Sequence, residues 1–210
     1  MTTDAEAQTY ARANEKSRKR KAVRDKILAT KTREKGLLMV HTGKGKGKST
    51  AAFGLVTRAL GNGLRVGVVQ YVKGKWETGE RVVLEHFPEQ ITIRTMGEGF
   101  TWETQDKARD IAAAQKAWAV SMEMIEACRG PEPAYDLLLL DELNIVLRYD
   151  YLSLEEVVEV LRNRPPDLHI VVTGRNAKEA LIDAADMVTE MTMVKHHFKD
   201  GVKAQKGIEF

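Results

Sequence analysis

Apolar runs alternate with segments of helical periodicity along residues 36–194, and this pattern predicts a chain of alternating strands and helices. The predicted strands are residues 36–41, 65–72, 91–96, 135–142, 168–173 and 187–194. Several of these runs are continuously apolar, which is typical of strands buried on both faces of a sheet. Helices are predicted from residue 48 to about 61 and at residues 80–87, 104–128, 153–163 and 177–184. The pattern therefore predicts an α/β fold with a mostly parallel sheet flanked by helices.

Residues 1–35 do not follow this pattern, since they are polar, rich in Ala, Arg and Lys, and free of Gly and Pro. They predict a basic helical arm, followed by one α/β domain over residues 36–210. The arm holds eleven Lys/Arg and five Asp/Glu (+6), whereas the remainder holds 22 and 25 (−3). Two interpretations stay open for the arm: contact with an anionic partner, or a solvated helix of mixed charge.

The cysteine content and the distribution of apolar residues indicate where in the cell the protein is located. Cys128 is the one cysteine in the sequence, so an internal disulfide is excluded and a reducing compartment is favoured. No apolar stretch approaches the roughly 18 residues that a membrane span needs. The charged N-terminal residues lack the apolar core of a signal peptide. These observations predict a cytoplasmic protein without a membrane segment.

A glycine-rich stretch between the first strand and the following helix predicts a phosphate-binding loop of a P-loop NTPase. Glycines there let backbone N–H groups surround an anion, helped by the helix N-terminus. Lys48 is expected to reach phosphate oxygens, and the Ser49 hydroxyl to bind Mg²⁺. One position departs from the usual spacing, because Thr42 stands five residues before Gly47 where a glycine is expected. The predicted ATP-binding residues are Thr42, Gly43, Lys44, Gly45, Lys46, Gly47, Lys48, Ser49 and Thr50.

A second signal is the run of four leucines that ends in Asp141 and Glu142. This is typical of a Walker B strand, whose carboxylates emerge beside the phosphates and hold Mg²⁺ directly or through water. The alternative is a strand followed by an acidic helix start. Arg175 follows the predicted strand 168–173, where it either binds phosphate or is a surface charge.

Several segments together resemble the P-loop corrinoid adenosyltransferases of the bacterial cobalamin pathway, which act on cob(I)alamin or cob(I)yrinic acid a,c-diamide. The likeness covers residue 36 to the end and includes the displaced glycine. The most specific segment is residues 99–105, Gly-Phe-Thr-Trp-Glu-Thr-Gln, which general P-loop ATPases lack. The other segments are residues 41–54, 73–80, 140–144, 173–175, 194–198 and 201–205.

The resemblance implies a P-loop, RecA-like architecture and a defined reaction. A reduced Co(I) corrinoid attacks the 5′ carbon of ATP, the adenosyl group passes to cobalt, and triphosphate leaves. Lys48 and Arg175 are the implied catalytic residues, while Ser49, Asp141 and Glu142 are the implied ligands of Mg²⁺ or Mn²⁺. Phe100 and Trp102 match aromatic residues that lie beneath the corrin and displace its lower axial ligand.

The resemblance also implies partners. It suggests a reduced flavoprotein as electron donor, a homodimer, and an N-terminal arm that covers the active site as a lid. The corrinoid substrate is either cobalamin or an earlier precursor of the cobyrinic acid a,c-diamide or cobinamide type.

Two other classes of protein share part of these features. A P-loop kinase or ATPase would use Lys48, Ser49, Asp141 and Glu142 on the γ-phosphate, but it leaves Phe100 and Trp102 unexplained. A recombinase-like ATPase would bind nucleic acid through the basic arm, with an affinity that falls steeply with salt. The −3 charge of residues 36–210 argues against nucleic acid.

Overall fold

The computed structural model describes residues 4–72, 78–96 and 106–209, in two compact units that divide between Glu34 and Lys35. The first unit contains one long helix, α1 (Asp4–Ala29). Among the helices that the structure describes, none combines the length and apolar character required to cross a bilayer.

The second unit alternates strands and helices as the periodicity predicts. Its elements in chain order are β1 (Leu38–Thr42), α2 (Lys48–Gly61), β2 (Val66–Gln70), α3 (Gly79–Leu84), β3 (Ile91–Thr95), α4 (Lys107–Glu126), β4 (Leu137–Asp141), α5 (Leu143–Arg148), α6 (Leu154–Arg162), β5 (His169–Thr173), α7 (Glu179–Ala184), β6 (Met187–Glu190) and a 3₁₀ turn (His197–Asp200).

The six strands that the structure describes are all parallel and lie in the order β3-β2-β4-β5-β1-β6. Strand β5 therefore separates the strand before the glycine-rich loop from the strand that ends in Asp141. The register pairs His41 with Thr173 and Gln70 with Asp141, so these polar residues share the carboxyl edge of the sheet. The predicted α/β class with a mostly parallel sheet flanked by helices is confirmed. Ligands of open α/β sheets bind at this edge.

The core lies on both faces of the sheet, which explains why the strands are continuously apolar. On β4, Leu138 and Leu140 pack with α4, α5, α6 and α7, whereas Leu137 and Leu139 pack with α2 on the opposite face. The exposed fraction of these four leucines is 5% or less. Alternate residues of one strand thus fill two apolar layers, and both layers hold the carboxyl edge in place.

One predicted strand is shorter in the structure, and one helix was not predicted. The strand predicted over residues 187–194 ends at Glu190, because Met191 turns towards the glycine-rich loop, where its carbonyl accepts a 2.7 Å hydrogen bond from Gly45 N. Helix α5 was not predicted. It begins after Glu142, whose left-handed φ of 66° starts the helix without a side-chain cap, so no capping signal marks it in the sequence.

The Asp186 carboxylate, just before β6, joins the start of β1 to Arg164 and Lys35. Asp186 accepts hydrogen bonds from Leu38 N at 2.9 Å and Arg164 Nη2 at 3.0 Å, and it forms an ion pair with Lys35. Burial raises the pKa of Asp186, but the hydrogen bonds from Lys35 and Leu38 and the charge of Arg164 outweigh it and leave the pKa lowered. The side chain is 23% exposed, so solvent screens part of this stabilisation.

Asp186→Asn is therefore expected to lower the free energy of unfolding by about 1 kcal/mol near neutral pH. A depressed pKa contributes stability above the unfolded value of about 4, and this stability is lost as the pH falls through the folded pKa. Urea unfolding at neutral and acidic pH measures it, with the exposed Asp183→Asn as control. If the difference in the free energy of unfolding between wild type and Asp186→Asn became larger at acidic pH, the result would contradict a lowered pKa of Asp186.

Candidate nucleotide and corrinoid site

The glycine-rich loop leaves β1 and turns into α2 with a backbone that side chains would obstruct. Gly43 and Gly47 have φ values of 97° and 102°, in the left-handed region that favours glycine. A Cβ atom on Gly43 would lie 2.4 Å from the carbonyl oxygen of Met191, and one on Gly45 would lie 2.7 Å from the same atom. The loop glycines are therefore needed both for the turn and for the close approach of the segment after β6.

Thr42, the residue in place of the expected glycine, joins two elements. Its hydroxyl accepts a hydrogen bond from Ala177 N at 3.0 Å, and its carbonyl oxygen accepts one from Met191 N at 2.9 Å. The residue is 6% exposed. Thr42 thus ties the end of β1 to the turn before α7 through its hydroxyl, which glycine lacks, and to the end of β6 through its backbone carbonyl.

Lys48 is the best-defined cation of the loop. Although it is charged, only 6% of the residue is exposed, and its Nζ donates to Gly45 O at 2.5 Å. Burial lowers the pKa of Lys48; Glu142 opposes this effect, and Arg175 and Lys46 add to it. An anion placed among these cations would favour the charged amine again. The loop is therefore electrostatically suited to bind phosphate.

The two acidic residues after β4 are held by Thr173 from β5. The Thr173 hydroxyl donates to Asp141 Oδ1 at 2.8 Å and accepts from Glu142 N at 2.9 Å. Gln70 Nε2 donates to Asp141 Oδ2 at 3.4 Å, and Asp141 is fully buried. Asp141 is thereby fixed in one orientation, while the left-handed backbone of Glu142 carries its side chain to the cavity.

Asn144 and Gly174 pack beside the acidic pair Asp141 and Glu142. Asn144 is 1% exposed and donates from Nδ2 to Gly174 O at 3.1 Å. A Cβ atom on Gly174 would lie 2.8 Å from Asn144 Cβ and 3.1 Å from Glu142 Oε2. Gly174 therefore allows the turn before Arg175 to lie directly against the acidic pair. Position alone did not reveal these two residues; they belong to the segments 140–144 and 173–175 that carry the family resemblance.

A cavity of about 540 Å³ brings most of the predicted residues together. Among the described residues, its lining includes loop residues 45–50, Glu142 and Arg175. Thr42, Gly43 and Asp141 are buried and Lys44 is exposed, and none of these four residues lines the cavity. Phe100 and Trp102 lie outside the described residues. The volume is within the range of small-molecule sites.

Helix α5 adds residues that the sequence analysis missed. Ile145, Arg148 and Tyr149 line the cavity, so the short helix forms one of its walls. The Arg148 guanidinium lies 5.4 Å from the centroid of the Tyr149 ring, which stacks on Tyr151 at 5.6 Å. An aromatic ring and an aliphatic side chain beside a cationic loop suit a ligand that has both a flat ring and phosphates.

The chemistry of the acidic pair and of Ser49 fits Mg²⁺, which prefers oxygen ligands and keeps several waters. Ser49 and Glu142 line the cavity, and Asp141 lies directly beside Glu142. Within residues 4–72, 78–96 and 106–209, no group of three or more His, Cys, Asp or Glu forms a complete protein cage for a metal. A magnesium ion here would therefore complete its coordination with phosphate and water oxygens.

Comparisons with known proteins identify the family of the chain. The family model for ATP:corrinoid adenosyltransferase BtuR/CobO/CobP matches residues 34–210. The corrinoid adenosyltransferase of Sinorhizobium sp is 54% identical, covering 95% of this chain and 92% of that protein. The corrinoid adenosyltransferase of Pseudomonas aeruginosa is 51% identical, covering 95% of this chain and 96% of that protein. The corrinoid adenosyltransferase of Escherichia coli K12 is 45% identical, covering 89% of this chain and 91% of that protein.

Among solved structures, the flagellar accessory protein FlaH from Methanocaldococcus jannaschii aligns with 75% of this chain and 71% of its own. The TM-score is 0.47 and the sequence identity is 11%, a likeness too distant to bear on function. The sequence relatives are decisive, since they span nearly the whole chain and share one name. The comparisons favour neither the kinase nor the nucleic-acid alternative, and the chain belongs to the ATP:corrinoid adenosyltransferase family.

Proposed function

We propose that this chain transfers the 5′-deoxyadenosyl group of ATP to the cobalt of a reduced corrinoid and releases triphosphate. The observation that carries the proposal is the convergence of the phosphate loop, Glu142 and Arg175 on one cavity, in a member of this family. The Co(I) centre supplies an electron pair to the 5′ carbon, the cobalt–carbon bond forms, and the carbon–oxygen bond breaks. The bonding electrons leave with triphosphate, so negative charge grows there.

Lys48 and Arg175 are assigned to stabilise that growing charge. Preorganised cations and loop N–H groups in a partly dry site are effective in this role, since they need no reorganisation during the reaction. Lys48 is already held in place by Gly45 O and flanked by Lys46 and Arg175. The same cradle that binds ATP would thus stabilise the leaving group. Fixing the 5′ carbon in line with cobalt would supply much of the remaining acceleration.

Loop residues 42–50 are assigned to ATP, either through their backbone or through Lys44, Lys46, Lys48, Ser49 and Thr50. Ser49, Glu142 and Asp141 would hold Mg²⁺, or Mn²⁺ in its place. The ion would neutralise phosphate charge as the triphosphate departs. Asp141, fixed by Thr173 and Gln70, is suited to orient metal-bound water.

Phe100 and Trp102 are assigned to the corrinoid. An aromatic wall beneath the macrocycle would displace the lower axial ligand and keep water from replacing it, which makes Co(II) easier to reduce. The physiological electron donor is proposed to be a reduced flavoprotein, and the corrinoid to be cobalamin or a cobyrinic acid a,c-diamide or cobinamide precursor. A homodimer, a lid role for residues 1–35 and a cytoplasmic location complete the proposal.

Anaerobic spectroscopy tests the proposed transfer. The protein is mixed with chemically reduced cob(I)alamin, Mg²⁺ and ATP, and the Co(I) absorption band is followed. We expect conversion to a light-sensitive adenosylcobalamin spectrum, with no conversion when ATP is omitted. A stable Co(I) spectrum, while ATP is hydrolysed to ADP, would instead support a γ-phosphate enzyme.

Phe100→Ala and Trp102→Ala separate reduction from transfer. On supplied Co(I), both variants are expected to keep transfer activity within about three-fold of wild type, because the cradle for ATP is intact. Starting from Co(II) with a mild reductant, both should lose most activity. Phe87→Ala, which changes an exposed phenylalanine elsewhere, serves as the control. Equal loss in both assays would contradict a specific role in reduction.

A further inference from the structure

The segment after β6 (residues 191–209) meets the phosphate loop twice. At its start, Met191 O accepts from Gly45 N at 2.7 Å. At its far end, the Glu209 carboxylate forms an ion pair with Lys46, 163 residues away in sequence. Nothing in the sequence pattern predicted this contact, since Glu209 belongs to a polar stretch without a recognisable motif.

Glu209 is held by the side chains of Lys46 and His197. Oε2 binds Lys46 Nζ, and Oε1 lies 2.8 Å from His197 Nε2. The Glu209 side chain is 15% exposed, whereas those of Lys46 and His197 are 55% and 38% exposed. The hydrogen bond from Lys46 lowers the pKa of Glu209 more than burial raises it, and the charge of Lys46 acts in the same direction. Glu209 is therefore an anion at neutral pH.

This anion lies where an anionic ligand is expected. Glu209, His197 and Lys46 line the same cavity as Lys48 and Ser49. The Glu209 carboxylate takes one of the three N–H donors of Lys46 and neutralises its charge, so a phosphate oxygen would compete with it for the ammonium. Binding of a polyphosphate to Lys46 and rupture of the Lys46–Glu209 pair are therefore coupled.

We propose that Glu209 is a built-in competitor of the polyphosphate for Lys46 and His197. Its carboxylate occupies these side chains when the site lacks phosphate, moves aside when ATP binds, and returns to Lys46 as triphosphate leaves. This inference rests on the proposed function, because the competing anion is the triphosphate of ATP and its released form.

The chemistry of the reaction gives such a competitor a purpose. When the carbon–oxygen bond breaks, triphosphate gains negative charge, so a cationic cradle that stabilises the transition state also holds the product tightly. Lys46, Lys48, Arg148 and Arg175 all line the cavity, and slow release of triphosphate would limit turnover. When the Glu209 carboxylate binds Lys46 again, it weakens the binding of triphosphate, while Lys46 stays in the site for the next transition state.

A positioning role for Glu209 predicts the opposite sign. If Glu209 only held Lys46 in an orientation suited to phosphate, its removal would weaken polyphosphate binding. If Glu209 competes, its removal strengthens binding. The direction of the change in affinity therefore separates the two roles.

Titration calorimetry with inorganic tripolyphosphate and Mg²⁺ measures this direction. Glu209→Gln keeps the shape of the side chain and removes its charge. We expect it to bind tripolyphosphate about two- to five-fold more tightly than wild type, the range of a partly exposed ion pair. Asp200→Asn, an acidic residue elsewhere in the same segment, should bind as wild type. In turnover assays, tripolyphosphate should inhibit Glu209→Gln at lower concentration.

A double-mutant cycle with Lys46→Gln guards against an indirect effect. In Lys46→Gln, the Glu209→Gln change should alter the affinity for tripolyphosphate by less than it does in wild type, because Lys46, for which both anions compete, is absent. Equal or weaker binding of tripolyphosphate by Glu209→Gln, while wild type binds it and transfers adenosyl, would overturn this inference alone. Failure of wild type to bind either tripolyphosphate or ATP would overturn the proposed function together with it.

Discussion

Replacing Lys48 with methionine is expected to lower kcat/KM for adenosyl transfer by about 10²–10³-fold, the cost of losing one preorganised donor to a developing anion. Lys48 is buried and held by Gly45 O, whereas its cationic neighbours Lys46 and Arg175 are exposed and do not share this fixed position. Because charge grows on triphosphate during the reaction, kcat should fall as well as the affinity for ATP. Steady-state kinetics with supplied Co(I) corrinoid measure both.

Lys116→Met is the matched control, since Lys116 is exposed on α4 and its loss should leave kinetics unchanged. Thermal unfolding of both variants tests whether the loop change disturbs the fold. A Lys48→Met enzyme with kcat near the wild-type value would show that the departing triphosphate is stabilised by other groups.

If Glu142 holds Mg²⁺ as proposed, replacing it with glutamine is expected to weaken metal binding by about 10–100-fold, the range seen when groups around metal ligands are altered. Glu142 reaches the cavity from a left-handed backbone that Thr173 fixes through a 2.9 Å hydrogen bond. Glutamine keeps the shape of the side chain but removes the charge that Mg²⁺ prefers. Binding of Mn²⁺ in the presence of ATP, followed by electron paramagnetic resonance, gives a readout that does not depend on turnover.

Two further variants make this second prediction specific. Glu179→Gln changes an acidic residue at the start of α7 and should leave metal binding unchanged. Asp141→Asn tests the neighbouring carboxylate, which is buried and accepts hydrogen bonds from Thr173 and Gln70. Normal Mn²⁺ binding by Glu142→Gln, with loss in Asp141→Asn, would transfer the ligand role from Glu142 to Asp141.

Local sequence features were enough to predict the fold and the framework of the site. The continuous apolar run Leu137–Leu140 predicts a strand buried on both faces, and the structure fills both layers with its alternate leucines. The glycine-rich loop and the Asp141–Glu142 pair were recognisable because their chemistry resides in adjacent residues. Parallel strands then bring the two segments to one edge of the sheet.

The remaining parts of the site depend on contacts between distant residues. Helix α5 begins at a left-handed glutamate without a side-chain cap, so periodicity and capping rules do not mark it. Glu209 joins Lys46 only because the segment after β6 returns to the loop. Such contacts follow from the path of the chain after Met191, which no short sequence pattern encodes.

Identification of the phosphate product tests the central claim most directly. After a single turnover with cob(I)alamin, ATP and Mg²⁺, phosphorus-31 NMR distinguishes intact triphosphate from pyrophosphate, ADP and inorganic phosphate. Attack at the 5′ carbon predicts one triphosphate for each adenosylcobalamin formed, with no ADP. Formation of ADP and inorganic phosphate without a cobalt–carbon bond would show that the chain acts on the γ-phosphate and would contradict the account.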